Sequence, residues 1–350
     1  MIVIGAIDDR SSISISCATG NENDRVGGAA TTMTWLFYDP AMREHVPPLG
    51  HPERPERIEA VMSLLERSGQ ARSCRRGVVR PATDLELSRV HNAHYLDTLG
   101  AFEAGGGGWI EADTWVREGS IRAARLAAGS AIEAVRSVFS GESEHERRAF
   151  CAVRPPGHHA RPSDAMGFCL FNNIAVAAAA AIAEREIERV LIVDWDVHHG
   201  NGTQEMFYDD HRVGFVSIHR YPFYPGSGAA DETGTGDGLG FTSNAPLPFG
   251  VRKTAYFDAY RRAVEAMADR VRPELVLISA GFDAHSADPI GGLGLDIEDF
   301  QETTRLVVEI AETHAQGRIV SILEGGYHVT ILADCVSSHL EVLGVEAPFR

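Results

Sequence analysis

The chain has 350 residues, 44% hydrophobic and 23% charged, with a formal net charge of -17. That balance belongs to a globular protein with a sizeable core and excludes disorder throughout, while the acidic excess repels phosphate and so disfavours nucleic acid and anionic membrane as partners. No apolar run approaches the roughly 18 to 20 residues of a membrane helix and no charged-then-apolar start resembles a secretion signal, so a cytoplasmic protein is expected.

Residues 1–32 are rich in Ser, Thr, Gly and Asn and show no period. They are expected to be a poorly ordered extension, or a start assigned too early, with the folded domain spanning 33–350. From Met33, "MTWLFYDP" opens a strand-like run. Further β-branched runs follow in order: "FCAV" (150–153), "RVLIVDW" (189–195), "VGFVSIH" (213–219), "LVLISAG" (275–281) and "RIVSILEGG" (318–326). Helical stretches are predicted between several of them, at 171–187, 254–271 and 297–315. Apolar strands alternating with helices predict an α/β fold, a mostly parallel sheet covered on both faces, and no linker divides the domain. The five cysteines are scattered without a Cys-x-x-Cys pair, which points to reduced thiols rather than a disulfide framework.

In such sheets the ligand site lies beyond the carboxyl ends of the strands. Titratable residues recur there: His158 and His159 in "RPPGHHA", Asp194, Asp196 and His198 in "DWDVHHG", Asp283 in "FDAHSADP", and Tyr327 after "SILEGG". A histidine pair taken alone is more often a hydrogen-bonded loop feature than catalytic machinery. Two aspartates two positions apart on an extended strand point the same way and repel, and a cation relieves that. Asp196 and His198 can both reach one metal, and a third ligand from another strand end would complete a zinc site with an open position. Asp283 is the candidate for it, with a helix N-cap as the alternative reading.

"RPPGHHA", "GFCLFNN" (167–173), "DWDVHHGNGTQ" (194–204), "FYPGSG" (223–228), "SAGFDAHSADP" (279–289) and "EGGY" (324–327), in that order, resemble the zinc-dependent histone deacetylase family. The likeness is to its class II members and to the bacterial deacetylase-like and acetylpolyamine amidohydrolases. It covers about residues 35–345, and "HPERPERI" (51–58) and "EADTW" (111–115) resemble the family's substrate-rim loops. The resemblance implies an arginase/deacetylase-like domain and hydrolysis of an acylated amine, small or lysine-borne on a protein.

It also implies roles. Asp196, His198 and Asp283 would hold one zinc ion. His158 and His159 would be the tandem histidines, His158 held charged by Asp194 and His159 facing the neutral amide of Asn201 as the proton shuttle. Tyr327 would polarise the amide carbonyl. Asp194 and the Ser217 hydroxyl, with backbone carbonyls of Asp196 and His198, would hold a potassium ion. Phe168 and Gly167 would form one wall of an apolar tunnel, Tyr224 and Phe223 the other, and Asp113 would meet the substrate at the rim.

Two alternatives stand beside the enzyme: a silent acyl-amine binding protein on the same scaffold, and a two-metal ureohydrolase of the related fold. The proton shuttle argues against the first, and the histidines after Asp196, where a second metal wants bridging carboxylates, against the second. A homo-oligomer is left open by the sequence.

Overall fold

A computed structural model of the chain describes residues 34–141, 146–185 and 187–345, all within one compact unit. The expected extension over residues 1–32 lies outside the described residues. Ten strands occur among the described residues: β1 (Trp35–Phe37), β2 (Arg75–Arg76), β3 (Gly108–Trp109), β4 (Trp115–Val116), β5 (Arg148–Cys151), β6 (Val190–Asp194), β7 (Val213–Arg220), β8 (Thr242–Leu247), β9 (Leu275–Ala280) and β10 (Ile319–Leu323). Eight of these make one sheet in the order β2-β1-β5-β10-β9-β6-β7-β8, and every pairing in it is parallel. β3 and β4 form a separate antiparallel ribbon.

The central strands are buried on both faces, which is why they read as unbroken apolar runs rather than alternating ones. Leu191, Val193, Val276 and Ile278 pack on one face, against helices Glu56–Arg67, Lys253–Val271, Ile297–His314 and Val329–Val342. Val190, Ile192, Leu275 and Leu277 pack on the other, against helices Ser120–Ser140 and Asn173–Arg185. The three predicted helices are present within two residues of their expected bounds. Helices Glu56–Arg67, Ala93–Ala104, Ser120–Ser140 and Val329–Val342, and edge strand β8, are additions to the sequence reading. Among the described residues no helix is long and apolar enough to cross a membrane.

Strands β5, β10, β9 and β6 are consecutive neighbours in the sheet. Their carboxyl ends are the four ends from which the titratable residues were expected to emerge, so the topology brings those residues to one place.

Several buried histidines are held neutral by the fold. Burial pushes His45 and His91 down to about 4 and His339 to about 3. His339 is satisfied by neutral partners, Thr304 Oγ1 at 2.8 Å and Ser321 Oγ at 2.9 Å, whereas His45 meets Ser120 Oγ at 2.8 Å and also lies 3.5 Å from the Glu53 carboxylate, whose pull burial outweighs. In the unfolded chain these rings take up protons as pH drops through about 6.5, whereas in the fold they do so only near 4 or below. Their stabilisation is therefore complete above pH about 6.5 and is lost between there and about 4, by up to about 1.4 kcal/mol per pH unit for each ring. Urea-unfolding midpoints are expected to fall steeply from pH 6.5 to 4.5; a flat profile across that window would contradict the assignment.

Candidate metal centre and active site

β6 ends at Asp194, and the chain then turns so that Asp196 and His198 face the loop after β9 that carries Asp283. His198 Nδ1 lies 2.9 Å from Asp196 Oδ1 and 3.2 Å from Asp283 Oδ2. Ligand atoms of the three residues all fall within 4.8 Å of one another, and all three side chains are buried. A tetrahedral zinc with N and O ligands at about 2.0–2.1 Å separates them by about 3.3 Å, so this spacing suits such an ion. Asp283 Oδ2 is buried and accepts no hydrogen bond, although its other oxygen is bound by the Val197 N–H at 2.9 Å. An orphaned carboxylate oxygen beside a second buried carboxylate is costly unless a cation meets it. Burial, with the charge of Asp196, raises Asp283 to about 7. The donor set therefore fits a zinc ion. Asp283 caps no helix: helix Ile297–His314 begins with Asp296 as its cap.

The backbone around the set is pressed close. Gly325 N–H donates to Asp196 Oδ2 at 2.9 Å, and a Cβ on Gly325 would lie 2.2 Å from Asp283 Oδ2 and 2.5 Å from Asp196 Oδ2. Gly325→Ala is expected to dislodge both carboxylates and to weaken metal retention at least 10-fold by zinc analysis after dialysis against a chelator, at nearly unchanged helical content.

Asp194 Oδ2 turns to His158 Nδ1 at 2.9 Å and its Oδ1 accepts from Asp196 N–H at 3.1 Å, while Asp196 Oδ1 meets His198 Nδ1 at 2.9 Å and lies 3.8 Å from His158 Nε2. Ser217 is the register neighbour of Asp194 on β7, and its hydroxyl meets His219 Nδ1 at 2.9 Å.

His158 and His159 lie side by side, ring centroids 4.0 Å apart, with unlike partners. Burial alone would discharge His158, but the carboxylates of Asp194 and Asp196 raise it to about 10. His159 Nδ1 meets Asn201 Oδ1 at 2.7 Å, a neutral acceptor. Burial, then the charges of His158 and His198, push His159 well below its ordinary value. One ring is thus a fixed cation and the other a neutral base.

A cavity of about 210 Å³ leads to this cluster, lined by Asp113, His159, Gly167, Phe168, His198, Phe223, Tyr224, Ile290 and Tyr327. The expected wall residues are therefore together. The Phe168 ring meets Tyr327 edge-on at 5.7 Å, Tyr224 meets His159 edge-on at 5.2 Å, and Phe223 stacks on His198 at 5.1 Å. Tyr327 is 7% exposed, and burial with the nearby Asp283 charge keeps its phenol protonated. Its backbone N–H donates to Asp288 Oδ2 at 2.7 Å. Gly167 and Phe168 have φ of 57° and 68°, left-handed values that cost a phenylalanine strain. The rim loop holds them there: Gly167 N–H donates to Asp113 Oδ1 at 3.1 Å and Phe168 N–H to Thr114 Oγ1 at 3.1 Å. A wider cleft of about 850 Å³ beside helix Ala93–Ala104 carries none of these ligands.

"HPERPERI" proves only partly a rim loop. His51 does reach the mouth, edge-on to Phe168 at 4.8 Å, but Glu53 and Arg57 are 0% and 1% exposed. The sequence reading also missed Arg154 and Glu324, both fully buried, and Asp288. Charged residues at the exits of apolar strands were the available signal.

Comparison with known proteins agrees with this geometry. Residues 51–343 match the family model described as the histone deacetylase domain. A histone deacetylase-like amidohydrolase of Pseudomonas aeruginosa is 42% identical over 303 residues, covering 86% of this chain and 79% of that protein. A probable deacetylase of Archaeoglobus fulgidus is 40% identical over 296 residues, covering 84% and 81%. Histone deacetylase 15 of Arabidopsis thaliana is 38% identical over 336 residues, 93% of this chain and 59% of that protein. The crystal structure of the HDA15 HD domain superimposes with a TM-score of 0.84 at 38% identity, covering 91% of this chain and 90% of that one. Sequence, fold and the convergence of four strand ends thus lead to one assignment: the chain belongs to the histone deacetylase family.

Proposed function

We propose that the chain is a zinc-dependent hydrolase that cleaves the amide of a small acylated amine or acyl-lysine, with one zinc ion held by Asp196, His198 and Asp283. The observation that carries the reading is the unbonded Oδ2 of Asp283, set against His198 and Asp196 at the end of a narrow cavity. Zinc bound there supplies Lewis acidity and draws the pKa of a water towards neutrality.

The residues of the chain do the rest. Asn201 Oδ1 accepts from His159 Nδ1–H, which fixes the tautomer and leaves Nε2 free to take a proton from the attacking water and return it to the departing amine nitrogen. His158 stays protonated against Asp194 and steadies negative charge in the site without exchanging its proton. The Tyr327 hydroxyl donates to the carbonyl oxygen as charge develops on it. Phe168 and Tyr224 sleeve the alkyl chain and exclude water, and Asp113 at the mouth favours a cationic or amide-bearing substrate. Potassium belongs to the same proposal: Asp194 and Ser217 are neighbours in register, and the Ser217 oxygen keeps a lone pair beyond its bond to His219.

The test is acetate release from acetyl-lysine peptides and acetylated polyamines, before and after chelation and on return of zinc. Hydrolysis that is lost on chelation and restored by zinc supports the proposal. Binding of acyl-amines without any turnover would replace it with the silent binding protein.

A further inference from the structure

Glu53 lies in the loop before helix Glu56–Arg67, touches none of the groups assigned to substrate, and is 0% exposed. Its Oε1 accepts from Arg154 Nε at 2.9 Å and Arg57 Nη1 at 3.2 Å, and its Oε2 from Arg154 Nη2 at 2.7 Å. The two arginines lead to different halves of the machinery. Arg154 opens the loop that carries His158 and His159, and its Nη1 is tied to the carbonyls of Met42 at 2.8 Å and His45 at 2.6 Å. Arg57 donates from Nε to the Gly326 carbonyl at 2.7 Å and from Nη2 to the Glu324 carbonyl at 2.5 Å, just before Tyr327. Its guanidinium sits 5.0 Å from the centre of the Tyr327 ring.

We propose that Glu53 is a positioning residue for the hydrolysis, a joint that holds the histidine loop and the tyrosine loop at working distance from each other. This rests on the roles proposed above for His159 and Tyr327. A buried carboxylate with two guanidinium groups is a poor means of mere stabilisation, since apolar side chains of like volume would fill the space without desolvating charge. A bidentate arginine–carboxylate pair, however, fixes distance and plane together, which packing alone does not. A second tie joins the same two loops: the Glu324 carboxylate accepts from Gly157 N–H at 2.6 Å and His158 N–H at 3.2 Å. The loops are thereby braced at two points. Misplacement by about 1 Å at a reacting group costs about 10²-fold in rate, so geometry of this kind registers in turnover.

Glu53→Asp keeps the charge but is one methylene too short to reach both arginines. On whichever of an acetyl-lysine peptide or an acetylated polyamine the wild type cleaves, kcat is expected to fall roughly tenfold or more, with KM within about twofold and zinc per chain unchanged. Val264→Ala, on the buried face of helix Lys253–Val271, supplies a variant of reduced stability outside both loops. Wild-type kcat in Glu53→Asp, or an equal loss in Val264→Ala at equal stability, overturns the inference. Arg154→Lys and Arg57→Lys give a second test that survives a misfolded Glu53→Asp. If both act through Glu53, the double variant loses less than the product of the single losses; a full product overturns the inference. Failure of the underlying reading is distinguishable, because then His159→Ala or Tyr327→Phe would itself turn over at the wild-type rate.

Discussion

Asp283→Ala is expected to reduce zinc from about one equivalent per chain to a small fraction, and to abolish hydrolysis. Removing the side chain takes away the proposed ligand oxygen, which lies 3.2 Å from His198 Nδ1, and leaves one carboxylate and one imidazole. Loss of groups that merely support metal ligands costs roughly 10- to 100-fold, so loss of a ligand should cost roughly 10³-fold or more in turnover. Val197 N–H also loses its acceptor, so the turn after β6 loosens with the metal. Metal analysis after gel filtration checks the first effect and acetate release the second. Full zinc retention in a folded variant would refute the ligand assignment.

Tyr327→Phe separates chemistry from binding. The ring keeps its edge contact with Phe168 and its place beneath the Arg57 guanidinium, so packing changes little. On the proposed mechanism, what disappears is a donor to an oxygen that becomes negative only in the transition state. The expected result is a fall in kcat of roughly 10²-fold or more, as for removal of an oxyanion donor. Affinity for a zinc-chelating hydroxamate, followed by calorimetry, should change far less. An undiminished rate would make Tyr327 a wall residue only.

What the sequence made legible follows from which forces are local. The runs at β6, β9 and β10 are apolar because both faces of those strands are covered, and a run of five or six such residues needs no partner to be recognised. The proposed metal ligands stood out because His and Asp at strand exits are chemically conspicuous. β8 was hidden because it is an edge strand, paired only with β7, and its "TSNAPL" can include a proline and polar residues there. Helix Ser120–Ser140 was not read although it is amphipathic, because its buried face is built largely of alanine, serine and glycine rather than of large apolar side chains. The Glu53 linkage was out of reach for another reason: Arg154 is 101 positions from Glu53, and Gly326 is 269 positions from Arg57, through which Glu53 reaches it. Glu and Arg in a loop read as a solvated face until the fold closes over them.

The bond from Gly167 gives the carboxylate proposed to meet the substrate, Asp113, a second task that enzymes usually assign elsewhere. Acids on surface loops commonly drift, and drift at the mouth of a site is a cheap way to change which amine is accepted. Here the same side chain keeps the left-handed Gly167–Phe168 segment in place, so exchanging it to retune the mouth also reshapes the throat. Asparagine could keep the acceptor while shedding the charge, whereas alanine or lysine would lose both. Diversification of substrate choice is therefore steered away from position 113, and from Glu111 as well, whose carboxylate accepts from Asp113 N–H at 3.3 Å, and towards the half-exposed Trp109.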